Sequence, residues 1–248
     1  MYLLIIFLLG VHFNAQAQCL KTIAWNNEIP QQTNSTDVLQ ISRDLKLLKM
    51  ALTELDCQIN FVKMPWARSI VELKNGRVDI LDGAYKTTKR QRFAWYSDFK
   101  SHSYTTLFMR KKDIGKYTLI NLQDIYKYKL RIGTQIGTLY GHEFGQFMAD
   151  KKHALLNHPN ISRKALWNML KIGRIDGFIS EVVRGLIELK SIDLTEYIGP
   201  TDFVVSNQAN HFIFSKKSVS LDFVKAVDGE ILKLNASAII EPLKQIDE

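Results

Sequence analysis

The sequence predicts an α/β protein that is made of two units of similar design. In each half of the chain, short apolar runs typical of strands alternate with segments whose apolar residues recur every three or four positions, as in helices. This alternation indicates parallel sheets covered by helices, because a connection between parallel strands needs a helix-length crossover. The 248 residues are enough for two domains of ordinary size.

The chain begins with a segment that is typical of a secretory signal peptide. Residues 1–11 are apolar apart from Tyr2 and Gly10, and Ala15-Gln16-Ala17 forms a small-x-small cleavage site. We predict removal of residues 1–17 and a mature protein in the periplasm. A lipid anchor on Cys19 is not expected, because Gln18 stands where a lipidation site requires a small residue.

The first unit reads as strand, helix, strand, helix, strand. Its longer helix is predicted by an apolar stripe that runs from Val38 to Leu55, and its second helix ends at Asn75-Gly76, since glycine favours the left-handed conformation that closes a helix. Strands are predicted at 21–25, 57–62 and 78–81, and helices at 38–55 and 68–74.

The second unit repeats the pattern and is followed by a tail. Strands are predicted at 130–133 and 175–179, with helices at 138–148, 162–172 and 180–189. The tail reads as a strand at 211–215 and helices at 221–234 and 238–246.

The most informative motif is Thr87-x-x-Arg90 followed by Ser97. It places an arginine just past a buried strand and a glycine turn, before an aromatic strand. An arginine there can grip a carboxylate through two parallel hydrogen bonds, which a lysine cannot do. With the preceding Asn75-Gly76-Arg77-Val78-Asp79, the pattern resembles the signature of family 3 periplasmic solute-binding proteins. These proteins deliver amino acids and other small polar solutes to ABC importers.

The resemblance implies the type II periplasmic binding protein fold, in which two α/β lobes are joined by a two-strand hinge and close around the ligand. The tail would return to the first lobe. Lobe 1 would then comprise residues 18–109 and 206–248, lobe 2 residues 110–205, and the hinge strands would lie near 107–110 and 203–206.

Candidate ligand-binding residues of the first lobe follow predicted strands, where open α/β sheets bind ligands. Arg90 is expected to face the cleft and to hold a carboxylate. Trp66 matches the aromatic residue on which the family's ligands stack, and core packing is the alternative. Arg68 is either a second anion contact or a surface charge of its helix. Asp82 and Tyr85 stand where amino-acid receptors of the family place small hydroxyl residues, which points away from a standard α-amino acid.

Two candidates lie in the second lobe. Gly137 and Thr138 resemble the family's carboxylate cradle, in which a turn and the start of a helix offer backbone N–H groups and a hydroxyl. Glu181 matches the position of the acid that holds a ligand ammonium. Its alternative is a structural role in the first turn of a helix, where the helix dipole favours a carboxylate.

The composition limits the remaining chemistry. Cys19 and Cys57 would lie in an oxidising compartment, where they can form a disulfide or remain separate thiols. The six histidines have no metal-ligand spacing, so neither a metal nor another cofactor is expected. The net charge of +8 comes from scattered Lys and Arg residues, which favours a solvated basic surface over a nucleic-acid site; an acidic small ligand or an anionic membrane surface is the alternative partner.

We therefore predict a monomeric, non-enzymatic binding protein that captures a small polar ligand, an amino acid or related carboxylate, for an ABC permease. One alternative is a dehydratase-like enzyme of the same fold, with Glu181 as the general acid. Another is a sensory binding protein without a transporter.

Overall fold

The computed structural model describes residues 19–25, 43–101 and 104–244, with side chains described for all of these except 25, 43 and 236–244. The predicted signal peptide, residues 38–42 of the first predicted helix and residues 245–246 of the last one lie outside the described residues. Within the described part, no helix combines the length and apolar character needed to cross a membrane.

The described chain alternates strands and helices, as predicted. In chain order the elements are β1 (Cys19–Trp25), α1 (Arg43–Glu54), β2 (Cys57–Lys63), α2 (Trp66–Asn75), β3 (Ile80–Tyr85), α3 (Thr88–Gln91), β4 (Ala94–Tyr96), β5 (Thr105–Arg110), α4 (Leu122–Lys127), β6 (Ile132–Gln135), α5 (His142–Ala149), α6 (Lys151–Ala154), β7 (Asn157–Asn160), α7 (Arg163–Lys171), β8 (Gly177–Glu181), α8 (Val182–Ser191), β9 (Ile198–Ser206), β10 (Asn210–Ser215) and α9 (Leu221–Lys244).

The strands form two five-stranded mixed sheets. The first has the order β2-β1-β3-β10-β4, in which β1 runs parallel to β2 and β3 while β10 runs antiparallel to its neighbours. The second has the order β7-β6-β8-β5-β9, in which β6 runs parallel to β7 and β8 while β5 runs antiparallel to β8 and β9. The predicted two-lobed α/β fold is therefore present.

Each sheet is buried on both faces, because successive residues of a strand point to opposite sides. In β3, Ile80 and Leu81 belong to different apolar clusters. In β5, Leu107 and Met109 pack into one cluster and Phe108 into another. The helices that cover these faces leave the ends of the strands free to form a site.

The chain crosses between the sheets twice. The first crossing lies between Tyr96 and Thr105, because β5 is a strand of the second sheet. The lobe boundary predicted after residue 109 falls within this strand, whose residues are nearly all buried between two neighbours. The return crossing lies between Ser206 and Asn210, after which β10 and α9 join the first sheet and its core.

Three predicted helices have different limits in the structure. The helix predicted at 138–148 begins only at His142, after Gly141 with a φ of 100°. The helices predicted at 221–234 and 238–246 form one continuous helix, α9, over the described residues.

A disulfide joins the first two strands. Cys19 and Cys57 are register partners in β1 and β2, and their sulfur atoms are bonded at 2.05 Å. The bond links residues 38 positions apart in the sequence, across the segment that connects the two strands.

Loss of this disulfide should destabilise the protein. Closing a loop of this length in the unfolded chain corresponds to roughly 2 to 4 kcal/mol of stabilisation. We expect the double variant Cys19→Ser/Cys57→Ser to lose about that much free energy of unfolding in urea titrations. Reductant should lower the midpoint of the wild type and leave the double variant unchanged; an equal midpoint for oxidised wild type and variant would contradict the expectation.

Candidate functional site

The two lobes meet where strands of both sheets end. Trp66, which follows β2, donates its indole N–H to the carbonyl oxygen of Gly137, which follows β6, at 3.1 Å. The hydroxyl groups of Tyr85, at the end of β3, and Thr105, at the start of β5, are 2.8 Å apart. We call the region around these contacts the interlobe cleft. It joins the carboxyl edges of the two sheets, which is where open α/β sheets bind ligands.

Arg90 is positioned by a short capped turn. The hydroxyl of Thr87 accepts a hydrogen bond from the Arg90 backbone N–H at 3.2 Å, which explains the Thr-x-x-Arg spacing. The guanidinium Nη1 donates to the carbonyl oxygen of Tyr85 at 3.1 Å, and the guanidinium carbon lies 5.9 Å from the centre of the Trp66 ring. A cation above an indole face is electrostatically favourable.

The Arg90 side chain is more buried than expected. The residue is only 7% exposed, and it forms no ion pair with any carboxylate of the described residues. Burial lowers the pKa of Arg90, and the nearby Tyr96 partly opposes the shift. One guanidinium carries five N–H donors, and the hydrogen bond to Tyr85 uses one of them. Most of the donors therefore have no hydrogen bond to the described residues.

Ser97, the last residue of the motif, has a structural role. Its hydroxyl donates to the carbonyl oxygen of Phe99 at 3.1 Å and accepts from the backbone N–H of Phe212 at 3.2 Å. The residue is buried, and these bonds hold the end of β4 against β10 at the start of the first crossing.

Trp66 packs in the core of the first lobe and also contacts the second lobe. Its ring is buried in an apolar cluster with Leu73 and Leu81, as core packing requires. Its indole N–H nevertheless reaches the second lobe, and Arg90 lies over its face.

The turn at Gly137 and Thr138 differs in geometry from the expected cradle. The Thr138 backbone N–H donates to the Gln135 carbonyl oxygen at 3.1 Å, and its hydroxyl donates to Gln135 Oε1 at 3.2 Å. Gly137 has a φ of 83°, as the third residue of a type II turn requires. The turn therefore uses its own polar groups, and the helix that would have offered free N–H groups starts four residues later.

Gly137 instead allows the lobes to approach each other closely. A Cβ atom at this position would lie 2.9 Å from the Cβ atom of Ala67 in α2. The positive φ and the close contact both favour glycine here.

The other first-lobe candidates lie in different surroundings. Tyr85 is buried, and its carbonyl oxygen accepts hydrogen bonds from Arg90 and, at 3.2 Å, from the Tyr96 hydroxyl. Asp82 is half-buried in the same strand. Arg68 is exposed on α2 and pairs with Glu72 at 3.5 Å, which matches its alternative as a surface charge.

Glu181 caps α8. Its carboxylate accepts from the backbone N–H groups of Val183 at 2.8 Å and Arg184 at 2.7 Å. Burial raises the pKa of Glu181, and these two hydrogen bonds partly oppose the shift. The residue pairs with Thr105 in the β5–β8 ladder, so it lies beside the interlobe cleft while serving the structural alternative.

The buried ion pair between Arg163 and Glu188 could not be predicted from the sequence. Arg163 Nε donates to both carboxylate oxygens of Glu188, at 2.7 and 2.8 Å, and its Nη2 donates to the Ser180 hydroxyl at 2.6 Å. Trp167 Nε1 adds a bond to Glu188 at 2.8 Å. The pair joins α7 to α8 across 25 residues of sequence, and no local pattern signals such a contact.

The chain resembles known proteins in both sequence and structure. Residues 43–160 match the profile of bacterial extracellular solute-binding proteins, family 3. The resemblance to family 3 solute-binding proteins is confirmed. The family's description implies a location outside the cytoplasm. A search of curated proteins found no match.

Solved structures of amino acid-binding proteins and of a sensor domain share the fold. An amino acid ABC transporter substrate-binding protein from Streptococcus pneumoniae, bound to L-arginine, is 20% identical; the alignment covers 90% of this chain and 92% of that one, with a TM-score of 0.67. A mutant of ArgBP from T. maritima is 16% identical over 92% of this chain and 96% of that one, with a TM-score of 0.67. A histidine kinase sensor domain with similarity to periplasmic binding proteins is 14% identical, with 91% and 94% covered and a TM-score of 0.68.

Metal chemistry receives no support from the described residues. They contain no group of three or more His, Cys, Asp or Glu side chains that could hold a metal ion.

The Arg163–Glu188 pair predicts an acid-sensitive contribution to stability. Burial by itself would raise the pKa of Glu188, but Arg163 and Arg184 outweigh it and lower the pKa below the usual 4.5. A lowered folded-state pKa means that the contribution is complete above pH 4.5 and is lost as the pH falls through the folded value. Glu188→Gln leaves Arg163 buried without its counter-charge and should lose about 3 to 5 kcal/mol at pH 7.

Chemical denaturation of wild type and Glu188→Gln from pH 7 to pH 3 measures this contribution. The difference in free energy of unfolding between the two proteins should become smaller below pH 4.5. Glu196→Gln, on an exposed glutamate, should stay within about 0.5 kcal/mol of wild type at pH 7. A Glu188→Gln variant as stable as wild type at pH 7 would show that the pair contributes nothing.

Proposed function

We propose that the chain is an extracytoplasmic binding protein that captures a small carboxylate-bearing ligand between its two lobes and presents it to an ABC permease. The observation that carries this proposal is the buried Arg90 guanidinium, which lies at the interlobe cleft and has no carboxylate partner within the described residues. A ligand carboxylate would supply the missing counter-charge.

The surroundings of Arg90 support a carboxylate clamp. The Tyr85 carbonyl oxygen and the Trp66 ring fix the guanidinium from two sides, so little side-chain freedom would be lost when a ligand binds. A planar guanidinium that is already oriented can form two parallel bonds to a carboxylate. Hydrogen bonds to charged groups are also stronger than neutral ones, and partial burial reduces their competition with water.

Contacts between the lobes support closure around the ligand. The bonds from Trp66 to Gly137 and between Tyr85 and Thr105 join residues of different sheets, whereas the two crossings are short. Such crossings can act as a hinge, and a ligand that touches both lobes would favour the state in which these contacts form.

The location and partners follow from the same proposal. Removal of residues 1–17 would release a monomeric protein into the periplasm, where the permease would receive the ligand. The intact mass of the exported protein tests the cleavage site and the absence of lipid on Cys19. Binding without catalysis is proposed because Glu181 is engaged as a helix cap and the compared structures are those of binding proteins and a sensor domain.

A sensory role is the second candidate. It is favoured by the similarity to a histidine kinase sensor domain, whose TM-score to this chain is about the same as that of the amino acid ABC transporter substrate-binding protein. Genes for a permease and an ATPase next to this one, and loss of ligand uptake when it is deleted, would favour import. Normal uptake together with a lost transcriptional response would favour sensing.

Substitution of Arg90 tests the proposed clamp. Arg90→Met keeps most of the side-chain volume but removes the charge, so ligand binding should lose roughly 2 to 5 kcal/mol, because truncating one partner of a buried charge pair leaves the other uncompensated. This corresponds to a loss of at least about thirtyfold in affinity. Without ligand, the variant should be at least as stable as wild type, since it no longer buries a cation that has no carboxylate partner among the described residues.

Calorimetric titration, after a thermal-shift screen of amino acids, organic acids and polyamines, measures the effect. Arg92→Met is the matched control, because Arg92 is exposed two positions further along the chain. Equal affinities for Arg90→Met and wild type would remove the basis of the proposal.

A further inference from the structure

The carboxyl edge of the second sheet exposes a set of aliphatic side chains. Ile136 follows β6, Ile161 follows β7 and Val183 follows β8, and their exposed fractions are 46%, 50% and 43%. Leu139, in the loop after β6, is 46% exposed. We call these four residues the apolar edge. Aliphatic side chains that are half-exposed at the ends of adjacent strands gain favourable free energy when an apolar group covers them.

The apolar edge faces the first lobe. Ile136 is adjacent to Gly137, whose carbonyl oxygen accepts the Trp66 indole N–H and whose Cα lies against Ala67 of α2. Val183 is in the first turn of α8, beside Glu181, whose ladder partner Thr105 bonds to Tyr85. The edge therefore lies opposite the part of the first lobe that holds Arg90.

The polar groups beside this edge already have partners within the second lobe. The Thr138 hydroxyl and backbone N–H both donate to Gln135. The two carboxylate oxygens of Glu181 each accept one backbone N–H of α8, and each retains one further acceptor site. The second lobe thus offers apolar surface together with polar groups that are partly used by the protein itself.

We infer that the ligand is a carboxylic acid with an apolar body. This inference rests on the proposed function: the carboxylate binds Arg90 in the first lobe, and the hydrocarbon part lies against the apolar edge of the second. Covering aliphatic surface would stabilise the closed state, whereas a charged side chain placed there would lose its hydration without gaining a partner. The ligand class therefore differs from the L-arginine bound by the structurally similar streptococcal protein.

Calorimetry with a matched set of acids tests the inference. The probes are 4-methylpentanoate and 3-phenylpropionate, their α-amino counterparts leucine and phenylalanine, and arginine. At least one apolar acid or its amino counterpart should bind at least about tenfold more tightly than arginine, and the comparison within each pair shows whether the ammonium group contributes. Binding of arginine as tight as that of every apolar probe would overturn the inference, as would binding of none of the apolar probes.

These outcomes are distinguishable from failure of the proposed function. If arginine binds tightly and Arg90→Met abolishes that binding, the carboxylate clamp stands and only the apolar ligand class is wrong. If no probe loses affinity in Arg90→Met, the clamp itself fails.

Variants of the apolar edge supply a second measurement. Ile136→Ser and Ile161→Ser should each weaken binding of the preferred apolar acid by about three- to tenfold, as expected from the loss of part of a buried aliphatic side chain. Ile172→Ser is the matched control, because Ile172 is 63% exposed at the end of α7, near the start of β8 and so at the opposite edge of the sheet. Unchanged affinity in both edge variants would contradict contact between the ligand and this edge.

Discussion

The buried guanidinium of Arg90 is the constraint around which the cleft is organised. A cation taken out of water is unfavourable unless hydrogen bonds and a counter-charge replace its hydration. The first lobe supplies a carbonyl oxygen from Tyr85, an aromatic face from Trp66 and a backbone position fixed by the Thr87 cap. Among the described residues, no carboxylate interacts with the Arg90 guanidinium, and we propose that a ligand supplies one.

In the second lobe, the charge of a buried arginine is balanced by a carboxylate, and its N–H groups have hydrogen-bond partners. Arg163 is as buried as Arg90, but it bonds to both oxygens of Glu188 and to Ser180. The contrast supports the proposal that Arg90 serves a ligand rather than the fold. Arg163 fastens two helices together, whereas Arg90 keeps donors unused at the boundary between the lobes. The same lobe exposes aliphatic side chains at the carboxyl edge of its sheet, whereas the first lobe places a buried cation at the cleft.

The sequence predicted the fold well because its signals are local. Periodicity identified α1, α7 and the strands that alternate with them, and the Thr87-Arg90-Ser97 motif identified the first half of the cleft. The errors arose where local signals were ambiguous. The apolar strand β5 could not be assigned to a sheet without its pairing partners, and the start of α5 depended on the backbone conformation of Gly141. Contacts between distant residues, such as Trp66 with Gly137 or Arg163 with Glu188, have no local signature at all.

A crystal structure of the protein with its preferred acid bound would decide whether Arg90 is the carboxylate clamp. We expect both carboxylate oxygens within about 3 Å of the Arg90 guanidinium nitrogens, a typical length for a charge-assisted hydrogen bond. The rest of the ligand should lie between Trp66 and the apolar edge. A carboxylate bound elsewhere, with Arg90 still bonded only to Tyr85, would show that Arg90 is not the clamp.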